Sequence, residues 1–593
     1  MILQELSNLY TRLAADPDSG IPPLGWSSEK VSFGIMLTED GCVQSVVPYS
    51  SGTGGSVSDY RIMNVPEHAG RSGKNPAPYF LCDTAKYFFA MDEKGGDRRF
   101  ADSRELHQSV LAQCESAAAR AVLSFFARGP HPEDLREADR DALGKGRFAV
   151  LCLADTAKPV SDDPSVKDAW AAYRSAVRAD DVVGFCSVTG ERTQLARLFP
   201  QVTGLPDAQS SGASLVSFNF PSSESYGKKQ AFNASISKDV AQAAGSALKY
   251  LCARKERRIS LGDTLIVYWA DRSAPLEDSF AFSFLLGMPK GEDEETLHLI
   301  QNAFERLRGG LPIEGSIDTN VSYCVLGIAP NNARLAVRFF EQDNLGKIAE
   351  HFSWYLRDID MVGVRPASLQ QMLSQTAPQG EVDKIPSTIL HAAFEAMVKE
   401  TMFPVALRQI VLERMHVDQG KRNKWDLGQR AALLKAYMVR KWRKLGFIPS
   451  NEERIDVALN RENSNEGYLL GRMFAVMAHA QRAAVGETNS TIVERYIGSL
   501  STTPSRVFQA LMRGFHTHLS ALKKKMPGLT AKLSKEMDEI VGKMPGDGLV
   551  PKALSSDDQC EFFIGYHQER EDFWASHHTV NSENMINTEN VEE

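Results

Sequence analysis

Hydrophobic and polar positions follow two different rhythms along this chain of 593 residues. Positions 2–15 place apolar residues three and four apart, which predicts an amphipathic helix at the N-terminus. The stretches 31–38 and 42–49 are rich in β-branched and aromatic residues and flank the turn sequence Glu-Asp-Gly, which predicts a β-hairpin. The chain therefore begins with both helix and strand.

Mixed patterns continue to about residue 360. Residues 103–127 have helical spacing, with Asp102 or Ser103 as the cap and Gly129 beyond the end, which predicts one long helix. Short apolar runs that predict strands lie at 147–154, 182–189, 214–220 and 259–270, with a second hairpin at 322–330 and 334–342. Helical patterns between and after them lie at 239–256, 294–310 and 348–359.

The strand signal stops at about residue 385. Apolar positions then recur with helical spacing at 387–400, 404–415, 427–444, 467–484 and 504–525. Short connections between such segments are typical of a helical bundle. We therefore predict an α+β protein: a mixed α/β region at 1–384, possibly in two subdomains, an all-α bundle at 385–577, and a polar, disordered tail at 578–593.

Composition is that of a soluble globular protein, with 43% hydrophobic and 24% charged residues. The sequence has no apolar run of the length that spans a membrane, and its N-terminus lacks the basic cluster of a signal peptide. We expect a cytoplasmic location and no membrane association. The eight cysteines are scattered singly and form no metal-binding pair, so we expect no metal site and no cofactor.

Charge is distributed unevenly around the overall net value of −8. Residues 401–545 contain 24 Lys and Arg against 13 Asp and Glu, whereas residues 546–593 contain 2 against 11. A basic block beside acidic surroundings is expected of a protein with one surface that faces a polyanion. Solvated helix faces would produce the same count without any ligand.

The motifs of common enzymes are absent in their required context. The Gly-Lys pair at 73–74 resembles a phosphate-binding P-loop, but Pro76 and Pro78 prevent the helix that such a loop needs at this point. Cys186 has no histidine partner that the sequence identifies. We expect a protein that is not an enzyme, and an unrecognised nuclease remains the alternative that incubation with DNA and Mg²⁺ or Mn²⁺ would reveal.

Two loops instead combine glycine with cations. The first contains Arg71, Ser72, Gly73, Lys74 and Asn75, and the second contains Ser225, Tyr226, Gly227, Lys228 and Lys229. Glycine lets backbone N–H groups approach a phosphate, lysine neutralises its charge, and Tyr226 can stack on a base or sugar.

Basic residues at two helix ends add to this set. They are Arg440, Lys441, Arg443 and Lys444 in one helix and Lys523, Lys524 and Lys525 in another. We predict nucleic-acid binding by these residues and by the two loops, which we expect to converge in one cleft. Cations at a helix C-terminus also complement the helix dipole, an interpretation that needs no ligand.

Stretches along the whole chain resemble, in family order, the large subunit of the type I-C CRISPR interference complex, Cascade. They are MILQELSNLYTRLAADPDSGI, RSGKNPAPYFLCDTAKYFF, GASLVSFN with ESYGK, LGDTLIVYWA, YLLGRMFAVMAHAQRAA, TIVERYIGSLSTTPSRVF and FFIGYHQERE. The resemblance implies a non-catalytic subunit that recognises the protospacer-adjacent motif in duplex DNA, helps to unwind it, stabilises the R-loop and recruits a separate helicase–nuclease. Since the guide reads the target by base pairing, such a subunit reads only a short duplex element.

The resemblance also implies partners and roles. The partners are crRNA, double-stranded target DNA, the displaced strand, and the backbone, 5′-handle and small subunits of the complex. Lys74 and Asn75 would reach the groove edges, and Asn219 would line the same cleft. The helical part resembles the small subunit, which this family also makes by internal initiation, with Met473 or Met477 as candidate starts. The alternative is a basic helical adaptor that binds RNA or protein and reads no duplex DNA.

Overall fold

A computed structural model of the chain describes residues 1–589 except 51–58, 69–70, 72–75, 93–94, 180, 206–207, 210–211, 219, 287–293, 310, 312, 314–315, 366–368, 382–383, 419–423, 487–489 and 546–549. The chain forms two compact units. The first contains Met1–Arg258 and Ala329–Val337, and the second contains Ile259–Ile328 and Arg338–Glu593. No helix in the described part of the chain is long and apolar enough to cross a membrane.

The first unit mixes helices and short strands. Its helices are α1 (Ile2–Ala15), α2 (Ala85–Phe88), α3 (Gly96–Leu111), α4 (Ala117–Arg128), α5 (Glu137–Gly144), α6 (Pro164–Ser175) and α7 (Lys238–Ala253). Its strands are β1 (Trp26–Leu37), β2 (Val43–Pro48), β3 (Arg61–Pro66), β4 (Cys82–Asp83), β5 (Phe148–Leu153), β6 (Val183–Phe185), β7 (Arg192–Gln194), β8 (Gln201–Val202) and β9 (Ala213–Ser214).

The long strand β1 organises the main sheet of the first unit. Its C-terminal half pairs antiparallel with β2 and parallel with β5, and its N-terminal half pairs antiparallel with β3. Because side chains alternate across a strand, Phe33, Ile35 and Leu37 enter a core shared with α3 and α4. Met36 packs on the opposite face with Val150 and Cys152 of β5.

The second unit begins with strands and ends in helices. Its strands are β10 (Arg258–Leu261), β11 (Thr264–Ala270), β12 (Ser322–Asn331) and β13 (Arg334–Asn344). Its helices are α8 (Pro275–Leu286), α9 (Glu294–Arg308), α10 (Leu345–Ile359), α11 (Leu369–Ser374), α12 (Ser387–Lys399), α13 (Val405–Asp418), α14 (Lys424–Leu445), α15 (Glu466–Val485), α16 (Ile492–Thr502), α17 (Phe508–Lys525), α18 (Pro527–Val541) and α19 (Ser556–Glu589).

Glycines allow α15 and α19 to pack at very short range. A Cβ atom at Gly471 would lie 2.0 Å from the carbonyl oxygen of Phe562, and one at Gly467 would lie 2.1 Å from that of Asp558. Gly565 of α19 meets the carbonyl of Tyr468 in the same way, at 2.4 Å. The two backbones therefore touch directly, and a continuous apolar core extends from these helices to the strands of the second unit.

The predicted fold class, mixed α/β followed by all-α, is confirmed, as are both hairpins and the five C-terminal helices. The predicted single helix at 103–127 is wrong. The helix ends at Leu111, and a second one begins after Ser116, whose hydroxyl accepts the N–H of Ala119 at 3.1 Å.

The predicted strand at 214–220 is also wrong, because strand pairing stops at Ser214 and Pro221 begins a short 3₁₀ turn. Phe220 is 59% exposed, so the apolar run does not fill a core as a buried strand would. β13 ends before the predicted boundary at 384/385, and α19 extends to Glu589. The assignment of functional domains to 1–384, 385–577 and 578–593 stays a prediction.

Candidate nucleic-acid interface

The loop at 225–229 forms a tight exposed turn in the first unit. Tyr226 and Gly227 both have left-handed backbone angles, with φ of +53° and +70°, and the N–H of Lys228 donates to the carbonyl of Ser225 at 3.0 Å. Two consecutive left-handed residues define a type I′ turn, which favours glycine at its second position. The side chain of Tyr226 is 99% exposed at the tip of this turn.

Asn233 holds the turn in place through its side-chain amide. Its oxygen accepts the N–H of Ser225 at 2.9 Å, and its nitrogen donates to the carbonyls of Lys228 at 2.8 Å and Gln230 at 2.9 Å. The sequence analysis missed Asn233, although asparagine next to a glycine-containing turn is a usual source of such bonds. The turn is thus a preformed platform that presents Tyr226, Lys228 and Lys229 to solvent.

Two further arginines of the first unit contact residues on either side of the turn in the sequence. Arg197 donates to the side chain of Gln230 at 3.1 Å, and the guanidinium of Arg334 lies 4.8 Å from the ring centre of Phe220. These residues were also missed, because they come from segments that are distant in sequence. Cations near exposed rings such as Tyr226 and Phe220 are the kind of groups that nucleic-acid sites use.

Arg71, in contrast, contacts residues that follow it in the chain. Its guanidinium lies between two rings, 3.6 Å from the centre of Tyr79 and 4.1 Å from that of Tyr87, and it forms an ion pair with buried Asp83. It also donates to the carbonyl of Ala77 at 2.8 Å. These contacts hold the side chain of Arg71 against the residues that follow the loop, and nucleic-acid binding by Arg71 stays a prediction.

Burial and the Arg71 charge also affect neighbouring titratable groups. Burial raises the pKa of Asp83, and the guanidinium of Arg71 opposes that rise. Burial, with a further contribution from Arg71, lowers the pKa of His68 to about 3, so this ring is neutral. It stacks on the ring of Tyr79, with the two ring centres 3.9 Å apart.

The remaining residues of the first predicted loop, Ser72, Gly73, Lys74 and Asn75, lie outside the described residues, as does Asn219. Their role in binding, and the convergence of the two loops in one cleft, stay predictions. Ser225, Tyr226, Gly227, Lys228 and Lys229 are all exposed, as a binding surface requires.

The basic end of α14 is not a free cationic surface. Arg440 is fully buried and donates to Asp358 at 3.0 Å and to the carbonyl of Ala396 at 2.9 Å. Burial lowers the pKa of Arg440, and Asp358 opposes that effect. A guanidinium that is enclosed and paired cannot reach a phosphate, so the prediction that Arg440 contacts nucleic acid is wrong.

The other three cations of this helix end are also paired. Arg443 binds Asp358 through two parallel bonds of 2.8 Å and Glu400 through one of 2.9 Å. Lys444 pairs with Glu400, and Lys441 pairs with Asp557. These carboxylates already neutralise the cations, and nucleic-acid binding by Lys441, Arg443 and Lys444 stays a prediction.

The helix α17 presents its cations differently. Lys523, Lys524 and Lys525 are exposed, and none of them pairs with a carboxylate among the residues that the structure describes. Arg513 and His516 are exposed earlier on the same helix. Leu511, Phe515 and Leu522 of the same helix are buried.

Cys186 and two methionines that the sequence singled out lie in packed surroundings. Cys186 is buried, and its sulfur accepts the N–H of Ser237 at 3.3 Å. Burial raises the pKa of this thiol, but N–H donors from Ser237, Thr189 and Val188 outweigh it and bring the value to about 7. The candidate start methionines Met473 and Met477 are core residues of α15. In the described part of the chain, no three His, Cys, Asp or Glu residues are placed to hold a metal ion.

The sequence matches the model of a known protein family. The sequence model of a family of CRISPR-associated proteins, Cas_Csd1, matches residues 6–574. No curated protein matches the chain. The match spans both compact units and nearly the full length of the sequence, in agreement with the ordered stretches that resemble this family. The chain therefore belongs to the Cas_Csd1 family of CRISPR-associated proteins, the large subunits of type I-C Cascade.

Proposed function

We propose that this chain recognises the protospacer-adjacent motif for a crRNA-guided surveillance complex, helps to unwind the target duplex, stabilises the R-loop and recruits a separate helicase–nuclease. Its partners are crRNA, target DNA and the other Cascade subunits, and it acts in the cytoplasm without catalysing a reaction. The observation that carries the proposal is the turn at Ser225–Lys229, where a preformed backbone presents one fully exposed tyrosine beside two lysines.

The geometry of the turn suits contact with duplex DNA. A rigid tip loses little conformational entropy on binding, because Asn233 already fixes the backbone. An aromatic ring can stack on an exposed or unpaired base, and lysines beside it contact phosphates. We propose that Tyr226 contacts the base step next to the motif and that Lys228 and Lys229 hold the adjoining backbone.

Replacing Tyr226 by alanine in the assembled complex should weaken binding to motif-containing duplex by about 1–3 kcal/mol, the usual contribution of an aromatic ring stacked on a base. Tyr226→Phe keeps the ring and should retain most of the affinity. Asn233→Ala should give a smaller loss, since it loosens the turn but leaves the ring. Equilibrium binding to targets with and without the motif measures these effects.

Phe185→Ala is a matched control, because Phe185 is another exposed ring of the first unit, with 69% exposure. It should bind like the parent protein. Unchanged discrimination by Tyr226→Ala would remove this turn from motif recognition. The alternative function, a basic helical adaptor, requires that variants of this turn leave all binding intact and that only variants of the helical part reduce it.

We further propose that the exposed lysines at the end of α17 hold a nucleic-acid backbone. Changing Lys523, Lys524 and Lys525 to glutamine should reduce the slope of log affinity against log salt concentration by about 0.9 for each phosphate that is no longer neutralised. Titrations of the assembled complex with nonspecific DNA at several salt concentrations measure this slope.

The control changes Lys347, Lys384 and Lys399 to glutamine, because these lysines of the second unit are already paired with carboxylates. It removes the same formal charge and should leave the slope nearly unchanged. Equal slopes for the two triple variants would mean that net charge, rather than the α17 lysines, sets the salt dependence. Incubation of the purified complex with DNA and Mg²⁺ or Mn²⁺ tests the absence of catalysis separately.

A further inference from the structure

The two faces of the main sheet in the first unit belong to two separate apolar clusters. One of these clusters is small. Met36 of β1, Met63 and Val65 of β3, and Val150 and Cys152 of β5 form this cluster on one face. The residues of this cluster lie in strands or directly next to strands. On the other face, the sheet packs against α3, α4 and α6.

A concave pocket of about 380 Å³ opens on the face that carries Met36 and Met63. Pockets that hold small molecules start at roughly 300 Å³ and combine an apolar floor with a few convergent polar groups. The pocket has this composition: Met36, Met63 and Val47 are apolar, whereas Gln44, Ser45 and Arg61 are polar.

Tyr49 forms one wall of the pocket and is fixed in place. Its hydroxyl lies 3.5 Å from the sulfur of Cys152, and it fits over Gly34, where a Cβ atom would come within 2.5 Å of the hydroxyl oxygen. The guanidinium of Arg61 lies 5.1 Å from the centre of the Tyr49 ring. The cation is thus held over the ring.

The charge of Arg61 is available to a ligand. Arg61 is exposed and forms no ion pair with a carboxylate in the described part of the chain. Among the arginines already discussed, Arg71, Arg440 and Arg443 are all paired with carboxylates. The pocket therefore offers an unneutralised cation beside an aromatic ring and flexible methionines, a combination that suits an anionic group attached to a flat ring.

We propose that this pocket binds one nucleotide, with the base against Tyr49 and the methionines, the base edge toward the Gln44 amide, and the phosphate toward Arg61. The inference rests on the proposed function, which supplies the nucleic acid. The nucleotide is either free in solution or an unstacked member of a bound strand. An unmodified peptide side chain carries either a flat ring or an anionic group. A nucleotide carries both, and so it uses both Tyr49 and Arg61.

The test measures binding of the four nucleoside 5′-monophosphates to the full chain by calorimetry, with inorganic phosphate as competitor. Arg61→Gln removes the cation, and Ser45→Phe fills the pocket. Each should reduce nucleotide affinity at least about tenfold, which corresponds to about 1.4 kcal/mol of binding free energy. Arg104→Gln, at an exposed arginine of α3, is the matched control and should bind like the parent. Thermal unfolding shows which variants are folded. If Ser45→Phe does not fold, Arg61→Gln alone tests the proposal.

A second arm distinguishes the two sources of the nucleotide. The assembled complex is irradiated with a bound oligonucleotide that carries photoreactive thymidine analogues, and the protein attachment sites are mapped. Attachment at Tyr49 or Met63 indicates a nucleotide within a strand, whereas binding of monophosphates alone indicates a free nucleotide. Either result supports the pocket as a nucleotide site.

Three results would overturn the inference: no binding in either arm, binding that the pocket variants leave unchanged, or phosphate that competes as well as the nucleotides do. Target-DNA binding by the same variants separates this inference from the proposed function. If the complex recognises its target but the chain binds no nucleotide, the pocket proposal is wrong and the proposed function stands. Failure of the parent complex to recognise its target defeats the proposed function.

Discussion

Gly471→Ala is expected to lower the free energy of unfolding by about 3 kcal/mol or more, the upper range for inserting atoms into a packed core. A Cβ atom at this position would lie 2.0 Å from the carbonyl oxygen of Phe562 and 2.8 Å from the backbone nitrogen of Tyr566. Both are backbone atoms of α19, so no side chain can rotate away. The two helices must separate, which weakens packing along the whole α15–α19 interface. Urea unfolding monitored by circular dichroism measures the loss.

Gly514→Ala is the matched control for this experiment. Gly514 also lies within a helix, α17, but a Cβ atom there would meet nothing within 4 Å. Alanine at an open helical position restricts the unfolded chain more than the folded one, so this variant should be stabilised by roughly 0.5–1 kcal/mol. Opposite signs for the same substitution would identify close backbone packing as the cause. A stable Gly471→Ala protein would show that the helices can separate at little cost.

Asp358→Ala is expected to destabilise the protein by about 3–5 kcal/mol, because it leaves a buried arginine without its counter-charge. Asp358 is 1% exposed and accepts bonds from both Arg440 and Arg443. Arg440 has no access to water that would replace this partner, whereas Arg443 retains Glu400. The measurement is again the free energy of unfolding in urea.

Two further variants show that burial causes the effect. Asp456→Ala breaks an ion pair with Arg454 in which both side chains are more than one third exposed, and it should cost less than about 1 kcal/mol. The double variant Asp358→Leu, Arg440→Met replaces the buried charges by apolar groups and should recover much of the stability lost in Asp358→Ala. Equal losses for Asp358→Ala and Asp456→Ala would show that the Asp358 cluster is solvated.

Local patterns predicted most of the secondary structure. The hairpin at β1 and β2 followed from β-branched and aromatic residues around a Glu-Asp-Gly turn, and the helices α12, α13, α14, α15 and α17 followed from apolar spacing. The errors occurred where local signals compete. The pattern at 103–127 is periodic on both sides of Ser116, and the hydroxyl of Ser116 starts a second helix within it.

The candidate site was predictable in part. Exposure of the turn at Tyr226 follows from its glycine and polar residues, which suit a tight turn between other elements. The bonds from Asn233 to the turn, and the contact of Arg334 with Phe220, required the folded chain. The sequence shows which residues are cationic, but it does not show which of these cations are exposed to a ligand. Arg440 and Lys523 look alike as basic residues near helix ends, yet one is buried and the other exposed.

By itself, the sequence determined the change from mixed α/β to all-α, the basic character of the helical part and membership of the Cas_Csd1 family, since these depend on residue types at neighbouring positions and on ordered motifs. Only the tertiary structure decided which charges remain free. Asp358 lies 82 residues from Arg440, and Asp83 lies 12 residues from Arg71. Ion pairing and desolvation depend on distances in space, which residue spacing along the chain does not specify.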